Sequence, residues 1–274
     1  MKSQRIPFTK MHGAGNDFIV IDNRTEVIDH DAFTKQIPLL CHRRYGVGAD
    51  GILILEADQR ASYRMIYKNA DGSDAGMCGN GGRCIALFST TIGYNSDHTF
   101  IAGSSIYRAV VRSNSVVIHF PVESVVRIVD GSEDGEIYQV HTGTEHIVLE
   151  AGPGLLEADS ELITLGRKLR YAKAFKPAGT NVNFMTVKGD KRIRLRTYER
   201  GVENLTLACG TGSIASALTA HSLSDERTNR DLYTVECDGG ELEIGFNHNR
   251  ESGIYSQITL KGPAEIVFEG IIDI

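Results

Sequence analysis

One uncommon tetrapeptide pattern, Cys-Gly-x-Gly, occurs twice in this chain, as Cys78-Gly79-Asn80-Gly81 and as Cys209-Gly210-Thr211-Gly212. When the two cysteines are aligned, Tyr67 and Tyr198 fall at the same distance upstream, and each copy reads as a strand running into a polar turn (Tyr63 to Gly72, Arg194 to Gly201). A helix of small residues follows each cysteine. Self-similarity on this scale implies two copies of one folding unit. In weaker form the repeat reaches back to Gly15 to Val20, which resembles Asn181 to Val187 as an Asn-rich turn before a strand. The expected organisation is a first α+β repeat over 1–115, a second over 116–262, and a closing segment, 263–274, whose strand Glu265 to Gly270 returns to the first. No Pro/Gly/Ser-rich linker marks the boundary.

The remaining apolar positions come mostly in short β-branched or alternating runs, which read as strands. They are Phe18 to Asp22, Gly51 to Glu56, Tyr63 to Tyr67, Ser115 to Phe120, His146 to Glu150, Phe184 to Val187, Ile193 to Tyr198, Glu241 to Gly245 and Ile254 to Leu260. Helical spacing is confined to Asp31 to Cys41, Gly82 to Thr91, Ser160 to Leu169 and Ser213 to Leu223. The class is α+β, strand-rich with few helices.

With 274 residues, 41% of them hydrophobic, the chain can bury one large core or two modest ones. A formal net charge of −6 gives no footprint for nucleic acid or an anionic membrane. The first residues carry charges and glycines where a signal peptide needs an apolar stretch, and no later run approaches a membrane span. The cysteines number 5, sparse and odd for a disulfide scaffold. A cytoplasmic protein with reduced thiols and a small-molecule partner is expected.

A cysteine at the first turn of a helix meets unpaired backbone N–H groups and the positive end of the helix dipole, and both favour thiolate. The glycines after it let a carboxylate approach those N–H groups. A single cysteine beside glycines is more often inert packing. Two equivalent cysteines change that balance. If the units pack about a pseudo-twofold axis, the helix starts converge on an interdomain cleft with a thiol on each side of a bound ligand. Such a pair suits inversion at carbon, with one thiolate removing a proton and one thiol delivering another. No pyridoxal-phosphate lysine, metal cluster or Rossmann loop is evident, so no cofactor and no metal are expected. Gly13-Ala14-Gly15 lacks the third glycine of a nucleotide loop and precedes a strand. The developing carbanion must then be stabilised by N–H donors of both helix starts.

Three blocks carry a further likeness: Met11-His12-Gly13-Ala14-Gly15-Asn16-Asp17-Phe18; Asn69-Ala70-Asp71-Gly72-Ser73 through Met77-Cys78-Gly79-Asn80-Gly81-Gly82-Arg83; and Tyr198-Glu199-Arg200-Gly201 through Ala208-Cys209-Gly210-Thr211-Gly212. In their order and spacing they resemble the diaminopimelate epimerase family. The resemblance implies two similar domains, each a strand-rich sheet wrapped round a central helix, with Cys78 and Cys209 as the acid/base thiols. It implies that Gly79, Asn80, Gly210 and Thr211 hold the reacting carboxylate, and that Asn16, Asn69, Asn181, Glu199 and Arg200 bind substrate. His146 and Glu199 match groups that tune the thiols. A homodimer that closes over its substrate is implied as well. Outside these motifs Asn16, Asn69 and Asn181 would be read as turn caps, Arg200 as a surface charge and His146 as a structural histidine.

The chain departs from the family pattern at Thr144 and Glu145, where asparagine or serine and then proline are usual. Gly51 stands where some members carry a substrate-binding glutamine, and Leu205 replaces an acid. These changes leave both thiols intact and touch substrate recognition. The leading expectation is cofactor-independent conversion of LL- to meso-diaminopimelate in lysine and peptidoglycan precursor synthesis. The alternatives are a racemase of the same fold acting on another amino acid such as histidine, a thiol hydrolase using His146, and a non-catalytic amino-acid-binding protein.

Overall fold

Arg5–Gly13 (β1) and Asn16–Asp22 (β2) form an antiparallel hairpin in the computed structural model, which describes residues 4–113, 115–129, 135–189 and 191–273. The hairpin belongs to the first of two compact units, which takes in the residues up to His119 and those from Gly262 onward. Phe120–Lys261 form the second unit. The division at His119 lies beyond residue 115 because Ser115–His119 (β8) pairs antiparallel with Ser105–Arg112 (β7).

The first unit also contains Gly51–Glu56 (β3), Tyr63–Asn69 (β4), Asp74–Ala75 (β5), Asp97–Ala102 (β6) and, from the chain end, Glu265–Asp273 (β18). Its sheet runs β18, β1, β2, β3, β4, β6, β7, β8. The β2–β3 and β4–β6 pairs are parallel and the others antiparallel, with β5 added alongside β4. The helix Gly79–Thr91 (α3) packs on β1, β2, β3, β4, β7 and β8, so the sheet curls round it. The outer face of the sheet is covered by His30–Thr34 (α1) and Ile37–Cys41 (α2), whose Phe33, Ile37 and Leu40 pack with Ile19, Ile21, Ile52 and Ile54. Cover on both faces explains why β3 reads as a continuous apolar run rather than an alternating one. The helix expected over Asp31 to Cys41 is in fact two. Pro38 lacks an N–H and is tolerated only in a first turn, so the chain breaks and restarts at Ile37.

In the second unit the strands are Arg127–Val129 (β9), Ile137–His141 (β10), Glu145–Glu150 (β11), Asn181–Gly189 (β12), Arg192–Glu199 (β13), Asn204–Thr206 (β14), Arg230–Cys237 (β15), Gly240–His248 (β16) and Tyr255–Gly262 (β17). They run β9, β10, β11, β12, β13, β15, β16, β17, with β11–β12 and β13–β15 parallel and β14 alongside β13. Gly210–Leu223 (α6) is buried along nearly its whole length against β10 to β13, β15 and β16. Pro153–Leu156 (α4) and Asp159–Arg170 (α5) cover the outer face through Leu156, Leu162 and Leu169.

The sequence of parallel and antiparallel pairs is the same in both units. By this topology β2 corresponds to β11 and β3 to β12, and β18 fills the place that β9 has in the second unit. The likeness between Gly15 to Val20 and Asn181 to Val187 is therefore not the repeat register. Asn181 begins the counterpart of β3. No helix among the described residues is long and apolar enough to cross a membrane.

Candidate active site

Cys78 and Cys209 occupy the N-cap positions of α3 and α6, with extended backbone at φ −111° and −114°. The helices start at the glycines Gly79 and Gly210, a turn earlier than helical spacing indicates, because glycine's low propensity hides a start that the packing enforces. At Cys78 the Gly81 N–H donates to Sγ at 3.5 Å. At Cys209 the Thr211 hydroxyl lies 3.6 Å from Sγ. Cys209 is buried and Cys78 half-buried. Cys41 and Cys84 differ in kind. Burial pushes their thiols up to about 11 and about 12, so they stay protonated and inert.

A hairpin tip packs on the first turn of each cysteine helix. In the first unit Ala14 (φ 53°) and Gly15 (φ 83°) make the tight left-handed turn between β1 and β2. A side chain at Gly13 would come within 3.0 Å of the Asn80 carbonyl, so the tip sits directly against α3. That contact brings Asn16 to Cys78, whose Sγ donates to Asn16 Oδ1 at 3.7 Å. Asn80 Nδ2 donates to the same oxygen at 3.3 Å. In the second unit the β10–β11 tip docks through the Thr142 hydroxyl, which donates to the Thr211 carbonyl at 3.2 Å.

Around Cys209 the expected residues are tied together. The Asn181 side chain accepts from the Arg200 N–H at 2.9 Å and donates to the Glu145 carbonyl at 3.0 Å, so it braces the turn that carries Arg200. Arg200 Nη2 donates to Thr144 Oγ1 at 3.1 Å, and Thr206 Oγ1 donates to Glu199 Oε2 at 3.0 Å. Thr144, a departure from the family pattern, thus still offers an oxygen to the arginine. Asn69 is the last residue of β4, and its Nδ2 donates across the following turn to Ser73 Oγ at 3.0 Å. Gly51 is closed to any side chain, because a Cβ there would stand 2.5 Å from the Lys68 carbonyl and 2.6 Å from the Tyr67 ring. A glutamine cannot enter at that position in this chain.

His146 is completely buried on β11. Asn183 donates to its Nδ1 at 3.1 Å and to the Ile147 carbonyl at 2.8 Å, and accepts from Thr197 Oγ1 at 2.9 Å. A carbonyl and a hydroxyl fix the Asn183 amide, so His146 Nδ1 is an acceptor and its proton resides on Nε2. That Nε2 has no hydrogen-bond partner among the described residues. A buried donor of this kind is satisfied by a ligand or an ordered water. Burial first, and then Arg200 and His141, push the imidazole down to about 3, so it is neutral throughout the physiological range.

The folded pKa lies below the unfolded value of 6.5, so this contribution to stability is complete above pH 6.5 and is lost as pH falls toward about 3. At pH 5 the loss is about 2 kcal/mol. His98, His221 and His248 are also pushed down by burial and act in the same direction. The thermal midpoint should therefore fall between pH 7 and pH 5, and His146→Gln should flatten that fall. Parallel curves for the two proteins would contradict the assignment.

Sequence reasoning missed Asp50, Arg83, Thr142 and Asn183. Arg83 and Asn183 left a signal, as polar residues inside a small apolar helix run and at a strand start. Asp50 and Thr142 left none.

The family model described as diaminopimelate epimerase matches twice, over residues 8–148 and 138–267. Among curated relatives, the chain is 39% identical over 264 residues to the diaminopimelate epimerase of Flavobacterium psychrophilum, covering 96% of this chain and 98% of that protein. It is 40% identical over 269 residues to the one from Chlorobaculum tepidum, covering 96% and 99%. Among solved structures, a Bacillus anthracis phenazine biosynthesis protein of the PhzF family shares the fold, with a TM-score of 0.78 at 13% identity over 99% of this chain and 100% of that one. With the capped cysteine present in both units and the match extending over both, the chain belongs to the diaminopimelate epimerase family.

Proposed function

We propose that this enzyme converts LL-diaminopimelate to meso-diaminopimelate without a cofactor, with Cys78 and Cys209 as its acid/base pair. The observation that carries the reading is the recurrence of one device, a cysteine N-cap with a hairpin tip against its helix, in both units of a chain that matches the family along nearly its whole length. One thiolate takes the α-proton, and the electron pair of that C–H bond remains on carbon. The opposite thiol then delivers its proton to the other face, and the two cysteines exchange protonation states in each turnover. Backbone N–H groups at Gly79, Asn80, Gly210 and Thr211 hold the reacting carboxylate and absorb the developing charge, each donor contributing roughly 2.7–4 kcal/mol. Arg200, steadied by Asn181 and Thr144, offers its guanidinium to the distal carboxylate. Asn16, Asn69 and Glu199 complete the binding set. His146 acts as a neutral Nε2–H donor that tunes the second thiol.

The same reading makes the enzyme a cytoplasmic homodimer. The chain's 5 cysteines are sparse and odd in number for a disulfide scaffold, which suits a reducing compartment. Strand β18 exposes Ile266, Val267, Phe268 and Ile271, an apolar strip that a second copy would cover. Sedimentation equilibrium should give a mass of two chains, and Phe268→Lys should shift it toward one. A single-chain mass for the unaltered protein would overturn this part.

The test of the reaction is α-proton exchange in deuterated water under reducing conditions, across diaminopimelate and a panel of single-centre amino acids including histidine. Exchange with inversion should be confined to diaminopimelate. Inversion of another amino acid alone would overturn the assignment.

A further inference from the structure

A directed chain of hydrogen bonds passes Cys78. Arg83, completely buried on α3, donates through Nη2 to Asn80 Oδ1 at 2.9 Å. Asn80 Nδ2 donates to Asn16 Oδ1 at 3.3 Å, and Asn16 Nδ2 donates to Asp50 Oδ2 at 2.7 Å. The direction is forced. A guanidinium only donates, so Asn80 must turn its oxygen to Arg83, and a carboxylate only accepts, so Asn16 must turn its nitrogen to Asp50. Both ends are fixed in turn. Arg83 also donates to the Gly79 carbonyl and the Pro263 carbonyl, each at 3.0 Å. Asp50 Oδ1 accepts from Arg43 at 2.6 Å, and Arg43 binds Asp17 as well. The outcome is that Asn16 presents a carbonyl oxygen to Cys78 Sγ, 3.7 Å away, and keeps its N–H groups on the other side.

We propose that Arg83 and Asp50 are positioning residues that clamp the two ends of this chain, holding an acceptor against Cys78 and thereby favouring its S–H form. The Gly81 N–H on the same sulfur, at 3.5 Å, favours the thiolate, so the chain acts as a counterweight that keeps this cysteine able to carry a proton. At the corresponding positions of the second repeat stand Thr211 and Ile214, and an isoleucine side chain cannot donate as Arg83 does, so the Arg83–Asn80 link is not repeated there. The duplicated thiols are made unequal by their surroundings. This inference rests on Cys78 being an acid/base thiol. Among the described residues of this unit, the charged groups on the chain and on the elements next to it include Arg83 on α3, Lys10 and Asp17 on the first hairpin, Arg43 and Asp50 before β3, the Lys68–Asp74 pair on β4 and β5, and His12 with Glu265 on β1 and β18.

The test is the pH dependence of iodoacetamide alkylation at Cys78, followed by mass spectrometry in a Cys209→Ala/Cys237→Ala background. It requires no turnover, so it stands apart from the activity of Cys78→Ala, which tests the reaction itself. Asp50→Ala removes the acceptor for Asn16 and should lower the alkylation midpoint by about one pH unit. Asp50→Asn removes the same charge but keeps an acceptor oxygen, and should lower it less. Arg83→Lys keeps the charge without the fork and should also lower it. An unmoved midpoint in Asp50→Ala, or equal shifts in Asp50→Ala and Asp50→Asn, would overturn the proposal, the latter by showing that charge alone is at work.

Discussion

Cys209→Ala should lower the turnover of LL-diaminopimelate by about 10⁴-fold, the upper range for loss of a positioned acid or base. Cys78→Ala should cost about as much, because inversion needs a proton removed on one face and another supplied on the other. The double variant should be scarcely worse than either single one, since groups that act as a unit do not contribute additively. KM should change little in all three, as the carboxylate donors proposed at both helix starts are backbone groups. Chiral chromatography of the product under reducing conditions measures this, and near-normal turnover in either single variant would dismiss the two-thiol mechanism.

Gly212→Ala should be the most damaging single methyl group near the second thiol. A Cβ at that position would lie 2.3 Å from Asn183 Oδ1, 3.2 Å from Thr197 Oγ1 and 3.3 Å from Cys209 Cβ. Asn183 is itself completely buried and is committed to Thr197, Ile147 and His146, so it cannot retreat without leaving a buried polar group unpaired. Overpacking of this kind costs about 3 kcal/mol, which lowers the melting temperature by about 8 °C for a chain of this size. Turnover should fall as well, because displacing Asn183 releases the His146 tautomer. Thermal unfolding and kcat of the variant check both effects. A melting temperature within a degree of the unaltered protein's would show that α6 can shift freely, contrary to its burial on every side.

The thiols, their glycines and the duplication were legible because each is a local pattern repeated in one chain. The strands read best where one face is polar or where an apolar run is long, as at β2, β3 and β13. They read poorly at β1, where the buried Thr9 and Lys10 break the apolar pattern, and where strands such as β6, β7, β10 and β15 mix polar and apolar residues. Lys10 is buried because it pairs with Asp17 at 2.6 Å and donates to the Gly48 carbonyl. Burial opposes ionisation of Asp17, but hydrogen bonds from Arg43 and Lys10 outweigh it and hold the carboxyl well below its usual range. Such compensation depends on residues far apart in sequence. For the same reason Asp50 and Thr142 were invisible as site residues, since their partners lie on other strands and helices. The departure at Gly51 could be seen in the sequence, but its cause, the Tyr67 ring and the Lys68 carbonyl over that strand, could not.

The most direct measurement of the central claim is α-hydrogen exchange by the two single-thiol variants in deuterated water. Each variant retains one thiol and so one face from which a proton can be taken and to which a deuteron can be returned. Cys78→Ala should wash the α-hydrogen from one epimer of diaminopimelate and Cys209→Ala from the other, with neither producing inversion. If both variants exchanged the same epimer, or if either inverted its substrate at the rate of the unaltered enzyme, the two cysteines could not be acting on opposite faces of one carbon.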